Sequence, residues 1–305
     1  MSVRSSCPHC ATPCSIASEH IGILLRCSRC GKTFTFFPEP SVPEVPPVAA
    51  SRLDIGAATS PGRVRERNED SHLIQHLVWS NLDQRHELAL LVVADGMGGH
   101  EAGDLASGMV VRAVGKSLAP LFTFWPDADT DPPVVLQQAL QQANQEVLQL
   151  SQEDVSYEGM GATAEVVFLR DGQAWIGHVG DCRVYHHRAG QLQQVTQDQT
   201  LVARMVELGA LTPREALSHP ARHEVAQAVG IRPELQPAQY RFPLQAGDWL
   251  LVACDGLAAH LEGRALEEHL RQPPSSAVEL ANQLVDRVNQ EGGTDNCTVI
   301  AVRCV

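Results

Sequence analysis

The sequence has no apolar run long enough to cross a bilayer, no internal repeat and a shortage of positive charge. Lys and Arg number 23 against 36 Asp and Glu, and the formal net charge of −13 argues against a surface that generally coats nucleic acid or anionic membrane. The opening residues MSVRSSCPHC lack an apolar core and a small-residue cleavage pattern, so no secretory signal is expected. That bears on the cysteines. Nine thiols without such a signal point to reduced cysteine or a metal site in the cytoplasm, not to a disulfide framework. The rest is ordinary: 305 residues, 44% hydrophobic and 19% charged, enough for one large domain and a small appendage.

The appendage is residues 1–37. Cys7 and Cys10 form one CxxC pair and Cys27 and Cys30 a second, with sixteen residues between the pairs, the spacing of two knuckles around one tetrahedral Zn²⁺. A piece this short cannot bury enough apolar surface to hold itself, so the metal would supply most of its folding energy. His9 and Cys14 are spare donors, since four thiolates already complete a structural site. A redox dithiol is the competing reading, but no βαβ pattern accompanies these cysteines. The segment resembles a zinc ribbon. Its Arg4, Arg26, Arg29 and Lys32 against Glu19 give +3, which four thiolates and one Zn²⁺ bring to +1, too little to argue for phosphate-backbone binding. Residues 38–51 hold five prolines in fourteen positions and read as a semi-rigid linker.

The larger domain, 52–305, is organised around Leu88–His100, LALLVVADGMGGH. A seven-residue apolar run ends on Asp95 and Gly96, which presents a carboxylate at the edge of a core. Asp-Gly alone reads as a type I′ hairpin turn, and Asp171-Gly172 between two strand-like runs fits that description. The arrangement at Asp95 recurs, however. Trp249–Ala253 runs into Asp255-Gly256, Trp175–Val179 runs into Gly180-Asp181, and Asp295 stands just before the strand Cys297–Val302. Gly96 is expected to leave room for carbonyls to approach a bound group. Further strands are expected at Ala164–Leu169, Ala174–Val179 and Arg183–His187. Helices are expected at Glu101–Leu118, with Leu105, Met109, Val110, Ala113 and Val114 as its apolar stripe, at Val134–Leu150, Leu201–Leu208 and Pro213–Leu217, and at Ala277–Val288. Pro120–Pro133 reads as a loop. Strands in meanders with helices set between them predict an α+β fold with antiparallel sheets.

With these residues laid out, the chain from Gly62 onward resembles the metal-dependent Ser/Thr protein phosphatases of the PP2C type, in their bacterial branch. The resemblance rests on RERNEDS (65–71), ADGMGGHEAGDLAS (94–107), GMGAT (159–163), HVGDCRVY (178–185), LTPREALSHP (211–220), ACDGL (253–257) and GGTDNCTV (292–299). It implies an αββα sandwich, two antiparallel sheets between helical layers, with a metal cluster at one end. Asp95 with the Gly96 carbonyl, Asp255 and Asp295 would be metal ligands. Glu69 and Asp70 would hold metal-bound waters or ligate directly, Asp181 would serve a third site, and Arg65 would grip the substrate phosphate. Asp95 and Asp255, with Arg65, would carry catalysis.

The residue types agree with that chemistry. Converging carboxylates stay ionised only if cations compensate them. Oxygen-only ligation favours Mg²⁺ or Mn²⁺, and two such ions can share a water, lower its pKa and aim it at phosphorus in a single step. Arginine's planar fork donates two parallel hydrogen bonds to phosphate. Phosphoprotein substrates, Ser/Thr kinases and the targets of those kinases are the partners this implies.

The departures carry expectations too. Met97 stands near where relatives often place a histidine that protonates the leaving alkoxide, and His100 is an imperfect substitute. Ala259 replaces an acid of the third metal site, which predicts that this site is weakened, with Glu262 a distant alternative. The flap that governs substrate choice reads HPARH (219–223) where HPxRN is usual, and Gln227 stands for an arginine. Cys182, Cys254, Cys297 and Cys304 read as small core residues. Two other functions compete with an active phosphatase: a degenerate phosphatase fold serving as a regulatory or binding module, and a nucleic-acid-binding protein led by its ribbon.

Overall fold

The computed structural model describes residues 2–6, 10, 12–17, 24–35, 52–81, 84–98, 102–123, 131–217 and 219–305. Cys7, His9, His100 and the linker 38–51 lie outside them. The chain divides into two compact units, Met1–Pro46 and Pro47–Val305. In the first, β1 (Ser2–Ser6) pairs antiparallel with β2 (Pro13–Ala17), and β3 (Leu24–Arg26) with β4 (Thr33–Thr35). Hydrogen bonds from Cys27 N–H to Lys32 O and from Gly31 N–H to Cys27 O, both 2.9 Å, close the turn between β3 and β4.

The second unit opens with β5 (Leu53–Ser60), β6 (Asp70–Asn81) and β7 (Gln84–Met97), followed by α1 (Ala102–Leu118), α2 (Pro120–Thr123) and α3 (Pro132–Glu153). Next come β8 (Gly161–Ala162), β9 (Ala164–Arg170), β10 (Gln173–Val179), β11 (Arg183–Arg188) and β12 (Gln191–Gln194). Two short helices, α4 (Leu201–Glu207) and α5 (Pro213–Leu217), precede β13 (Ala238–Pro243) and β14 (Trp249–Ala253). The chain then runs through α6 (Asp255–Ala258), α7 (Arg264–Leu270) and α8 (Ala277–Gln290) to β15 (Cys297–Cys304). One sheet has the order β13-β10-β9-β7-β6, with β8 added on β7, and the other β12-β11-β14-β15-β5. All of their strand pairings are antiparallel.

Burial on both faces explains why β7 reads as a continuous apolar run and not as an alternation. Leu88, Leu90, Val92 and Ala94 pack with α1 and α3, while Ala89, Leu91 and Val93 face the second sheet. β14 divides in the same way. Trp249, Leu251 and Ala253 lie with α7 and α8, and Leu250, Val252 and Cys254 lie between the sheets. The result is the expected αββα sandwich, with one core between the sheets and one under each helical layer.

Local structure departs from expectation at residues 120–133 and along α1, among other places. Pro120–Pro133 is not loop throughout. α2 occupies its start, and Pro132 and Pro133 open α3, a position where the missing N–H costs nothing. On α1 the buried face is Ala102, Gly103, Ala106, Ser107, Val110, Ala113 and Val114, and Leu105 and Met109 are only partly buried against it. Small residues let the helix lie close to the sheet. Asp171 at φ 50° and Gly172 at φ 68° make the tight β9–β10 turn expected of them.

Candidate active site

At one end of the sandwich five aspartates converge from separate strand ends. Asp95 lies in β7 directly opposite Asp70 of β6, in register. Asp255 follows β14, Asp295 precedes β15, and Asp181 sits where the chain passes from β10 of one sheet to β11 of the other. Like charges at directly opposed strand positions are destabilising by themselves. Nothing in folding favours this grouping.

Glycine follows two of these acids because the protein's own backbone presses on it. A Cβ on Gly96 would lie 2.0 Å from the Gly103 carbonyl of α1, and one on Gly256 would lie 1.9 Å from the Asn296 carbonyl. Neither residue has a positive φ, so the hairpin reading fails at both. The carbonyls that approach Gly96 belong to Gly103 and Glu69, and Gly96 N–H donates to Glu69 O at 3.1 Å.

The acids are held by a polar framework. Thr298 donates to Asp70 Oδ2 at 2.7 Å and lies 2.7 Å from Thr59, which accepts from Asn68 at 2.8 Å. Asp70 Oδ1 is buried without a hydrogen-bond partner. Asp95 N–H donates to Thr163 Oγ1 at 2.9 Å, and Thr163 N–H returns a bond to Asp95 O at 2.8 Å. Asn296, which sequence reasoning passed over, ties the loop before β6 to the approach to β15. Its amide donates to Pro61 O and Arg67 O and accepts from Glu69 N–H at 2.8 Å. Arg65, half exposed, donates to Asp295 Oδ2 at 2.8 Å.

Burial and mutual repulsion set these carboxyls apart from ordinary ones. Burial, then the fields of Asp255 and Asp295, push Asp70 up to about 7, against hydrogen bonds from Thr298 and Cys254. Burial and repulsion from Asp70 and Asp255 push Asp95 well above the carboxylate range. Asp181 rises to about 7 through burial and the charges of Asp255 and Asp198. Asp255 is raised by burial and by Asp295, tempered by a hydrogen bond with Asp95. Glu69 is raised by burial, with Arg65 opposing.

A divalent ion would relieve all of this, and the oxygen-only donors suit Mg²⁺ or Mn²⁺. Among the described residues no three of these carboxylates bring oxygens within 4.8 Å of one another. Ions of this kind keep several waters and need few protein oxygens each.

At the expected third site, Ala259 caps α6 and its side chain carries no ligand atom. Glu262, the alternative acid, pairs with Arg183 Nη1 at 2.8 Å. Arg183 also makes two hydrogen bonds to Asp198, at 2.8 and 2.7 Å, and its charge reaches Asp181 and Asp255. Cys182, Cys254, Cys297 and Cys304 are buried core residues, as expected. In the first unit the sulfurs of Cys10, Cys27 and Cys30 lie within 4.8 Å of one another.

Two antiparallel sheets between helices, with carboxylates gathered at one end and only partly offset by Arg65 and Arg183, make a frame that suits hard cations. The chain belongs to the protein phosphatase 2C family, whose pattern matches residues 60–296. It is 35% identical over 257 residues to the protein phosphatase PhpP of Streptococcus pneumoniae, an alignment covering 82% of this chain and 97% of that one. A serine/threonine phosphatase structure from S. agalactiae superposes with a TM-score of 0.71 at 31% identity, covering 83% of this chain and all of the other. The catalytic domain of the phosphatase PstP, solved with two manganese ions, does so at 0.67 and 31% identity, covering 82% of this chain and 97% of that one.

Proposed function

We propose that this chain is a metal-dependent protein phosphatase acting on phosphoserine and phosphothreonine. The observation that carries the reading is the set of mutually repelling aspartates, Asp181 buried and the others half-buried, at the end of a phosphatase 2C sandwich. Asp95 with the Gly96 carbonyl, Asp255 and Asp295 would hold two Mg²⁺ or Mn²⁺ ions, with Glu69 and Asp70 ligating directly or through waters. When bound, such ions supply Lewis-acid charge and acidify water for attack on a phosphate ester.

The chain's own groups do the rest. Asp295 orients Arg65, whose guanidinium can donate two parallel hydrogen bonds to the substrate phosphate. The Thr59–Thr298 pair fixes the Asp70 carboxyl, and Thr163 fixes the backbone at Asp95, so neither need reorganise as charge moves in the reaction. Met97 has no proton to give the departing alkoxide.

Asp181 is the remaining candidate for a third ion. Ala259 and the Arg183–Glu262 pair support a weakened or lost third site, and this observation favours the second reading, a degenerate regulatory or binding module. Manganese-dependent hydrolysis of p-nitrophenyl phosphate and of a phosphothreonine peptide, lost in Asp255→Asn, is the expected result. A wild-type protein that binds manganese yet hydrolyses neither would establish the degenerate module.

We assign one structural Zn²⁺ to Cys7, Cys10, Cys27 and Cys30, supported by the sulfur cluster of Cys10, Cys27 and Cys30. Phosphoproteins of the cytoplasm, Ser/Thr kinases and their targets among them, are the partners proposed. No helix among the described residues is long and apolar enough to cross a membrane. One zinc per chain by elemental analysis, lost in Cys27→Ser, would bear out the ribbon.

A further inference from the structure

Beside Met97 the chain forms a cleft of about 400 Å³ that none of the cluster acids lines. Met97, Val225, Ala228 and Ile231 give it apolar surface, and the exposed Arg232 and Glu234 bring opposite charges to it. Its wall is built to stay in place. Val229 exchanges two backbone hydrogen bonds with Ala162, at 2.8 and 3.0 Å. Asn144 of α3, 1% exposed, accepts from Gly230 N–H at 2.7 Å and donates to Arg232 O at 2.8 Å and Pro233 O at 3.2 Å. Gln227 bonds the Gln236 backbone in both directions, at 2.8 and 2.9 Å.

On this clamped loop Ile231 stays 41% exposed. A Cβ on Gly161 would come within 2.8 Å of its Cδ1, so glycine there makes room for it. Gln227 and Gln236 add polar surface to the apolar side chains, and a preformed cleft of this mixed kind lowers the ordering cost of whatever binds it.

The position of the cleft identifies its occupant. Met97 lies two residues beyond Asp95 on the same strand, and alternation puts both side chains on one face, about 7 Å apart along the chain. An extended polypeptide advances a similar distance in two residues. We propose that this cleft seats a bulky apolar side chain of the phosphoprotein substrate, one or two residues from the phosphorylated serine or threonine. It thereby selects among substrates. The assignment rests on the phosphatase reading above. The opposed charges of Arg232 and Glu234 favour neither an acidic nor a basic side chain, which leaves the apolar floor to decide.

The test uses the full chain with manganese and a panel of phosphothreonine peptides that differ only in carrying Leu or Ser at each of the two positions on either side. p-Nitrophenyl phosphate, too small to reach the cleft, is the control. The wild type is expected to favour Leu at one flanking position by about tenfold in kcat/KM, as burial of one side chain allows. Ile231→Glu should reduce that preference to within about twofold by raising KM, with p-nitrophenyl phosphate turnover unchanged, and Ile231→Ala should act in the same direction more weakly. A flat panel with the control still hydrolysed overturns the cleft assignment and leaves the phosphatase standing. So does an Ile231→Glu variant that keeps the preference. Failure of the control in the wild type overturns the phosphatase reading and the cleft with it.

Discussion

Asp70→Asn should stabilise the metal-free protein while blunting its response to manganese. Asp70 titrates in the fold at about 7 against an ordinary value of 3.8. An elevation of about three units, at about 1.4 kcal/mol each, is worth about 4 kcal/mol. The sign follows from proton counts. Between the two values the folded chain holds a proton that the unfolded chain has released. Stability therefore falls as pH rises from 3.8 toward 7, and the full cost is present above that. Asparagine has nothing to ionise. Its amide oxygen can still accept from Thr298, 2.7 Å away, and its NH₂ replaces the Oδ1 that is buried without a partner. Asp95 and Asp255 share the repulsion, so 4 is a ceiling and a gain of roughly 1–3 kcal/mol is expected. Urea unfolding in chelator at pH 5 and pH 8, repeated with manganese, reads it out. In chelator the wild type should lose stability between those pH values and the variant should lose less. Manganese at a hundred times its Kd should return about 2.7 kcal/mol to the wild type and less to the variant. A variant less stable than the wild type in chelator at pH 8 would refute the claim that these acids repel one another in the fold.

Arg65→Ala should raise KM for phosphopeptides by roughly ten- to a hundredfold, because a charge-assisted bidentate contact is lost, and steady-state kinetics would measure it. Gly256→Ala should cost more than about 3 kcal/mol in urea unfolding, since its Cβ would meet the Asn296 carbonyl at 1.9 Å and backbone cannot swing aside. Asp248 provides a control far from catalysis. Burial pushes it up, but hydrogen bonds from Arg188, His186 and the Gln245 backbone outweigh that and hold it at about 2. Its contribution, roughly 2 kcal/mol, is present above 3.8 and lost as pH falls through 2. Asp248→Ala should flatten that acid limb of a stability–pH profile while costing about 2 kcal/mol at neutral pH, because Arg188 and His186 lose their carboxylate partner and Arg188 keeps only Pro243 O and solvent.

Much of the larger domain was legible because its strands carry their signal locally. Trp249–Ala253 and Pro213–Leu217 fall where the pattern puts them, and β9, β10 and β11 differ from expectation by a residue or so at their ends. The elements that went unread are those whose burial is thin. β13 is an edge strand, half exposed and ending on a proline, and α7 buries only Leu266 and Leu270 of seven residues. Asp95, Asp181, Asp255 and Asp295 could be singled out from strand-to-carboxylate junctions, and Glu69 and Asp70 from the family resemblance. What holds them could not. Asn296, Thr298 and Thr163 are ordinary polar residues until the fold brings them to partners tens or hundreds of positions away, and Asn144 looks like any other helix amide. Glu262 shows the same limit from the other side, because nothing in its neighbourhood of sequence announces Arg183.

The chain's passage from β10 to β11, with Asp181 at the crossing, has a consequence for when this molecule becomes competent. Each sheet alone carries only a share of the acids, and those shares are drawn from positions as far apart as 70 and 295. Loss of either sheet removes some of these acids. If they hold the metals as proposed, a form with one sheet unformed is inert toward phosphoproteins, and turnover reports that both sheets have docked.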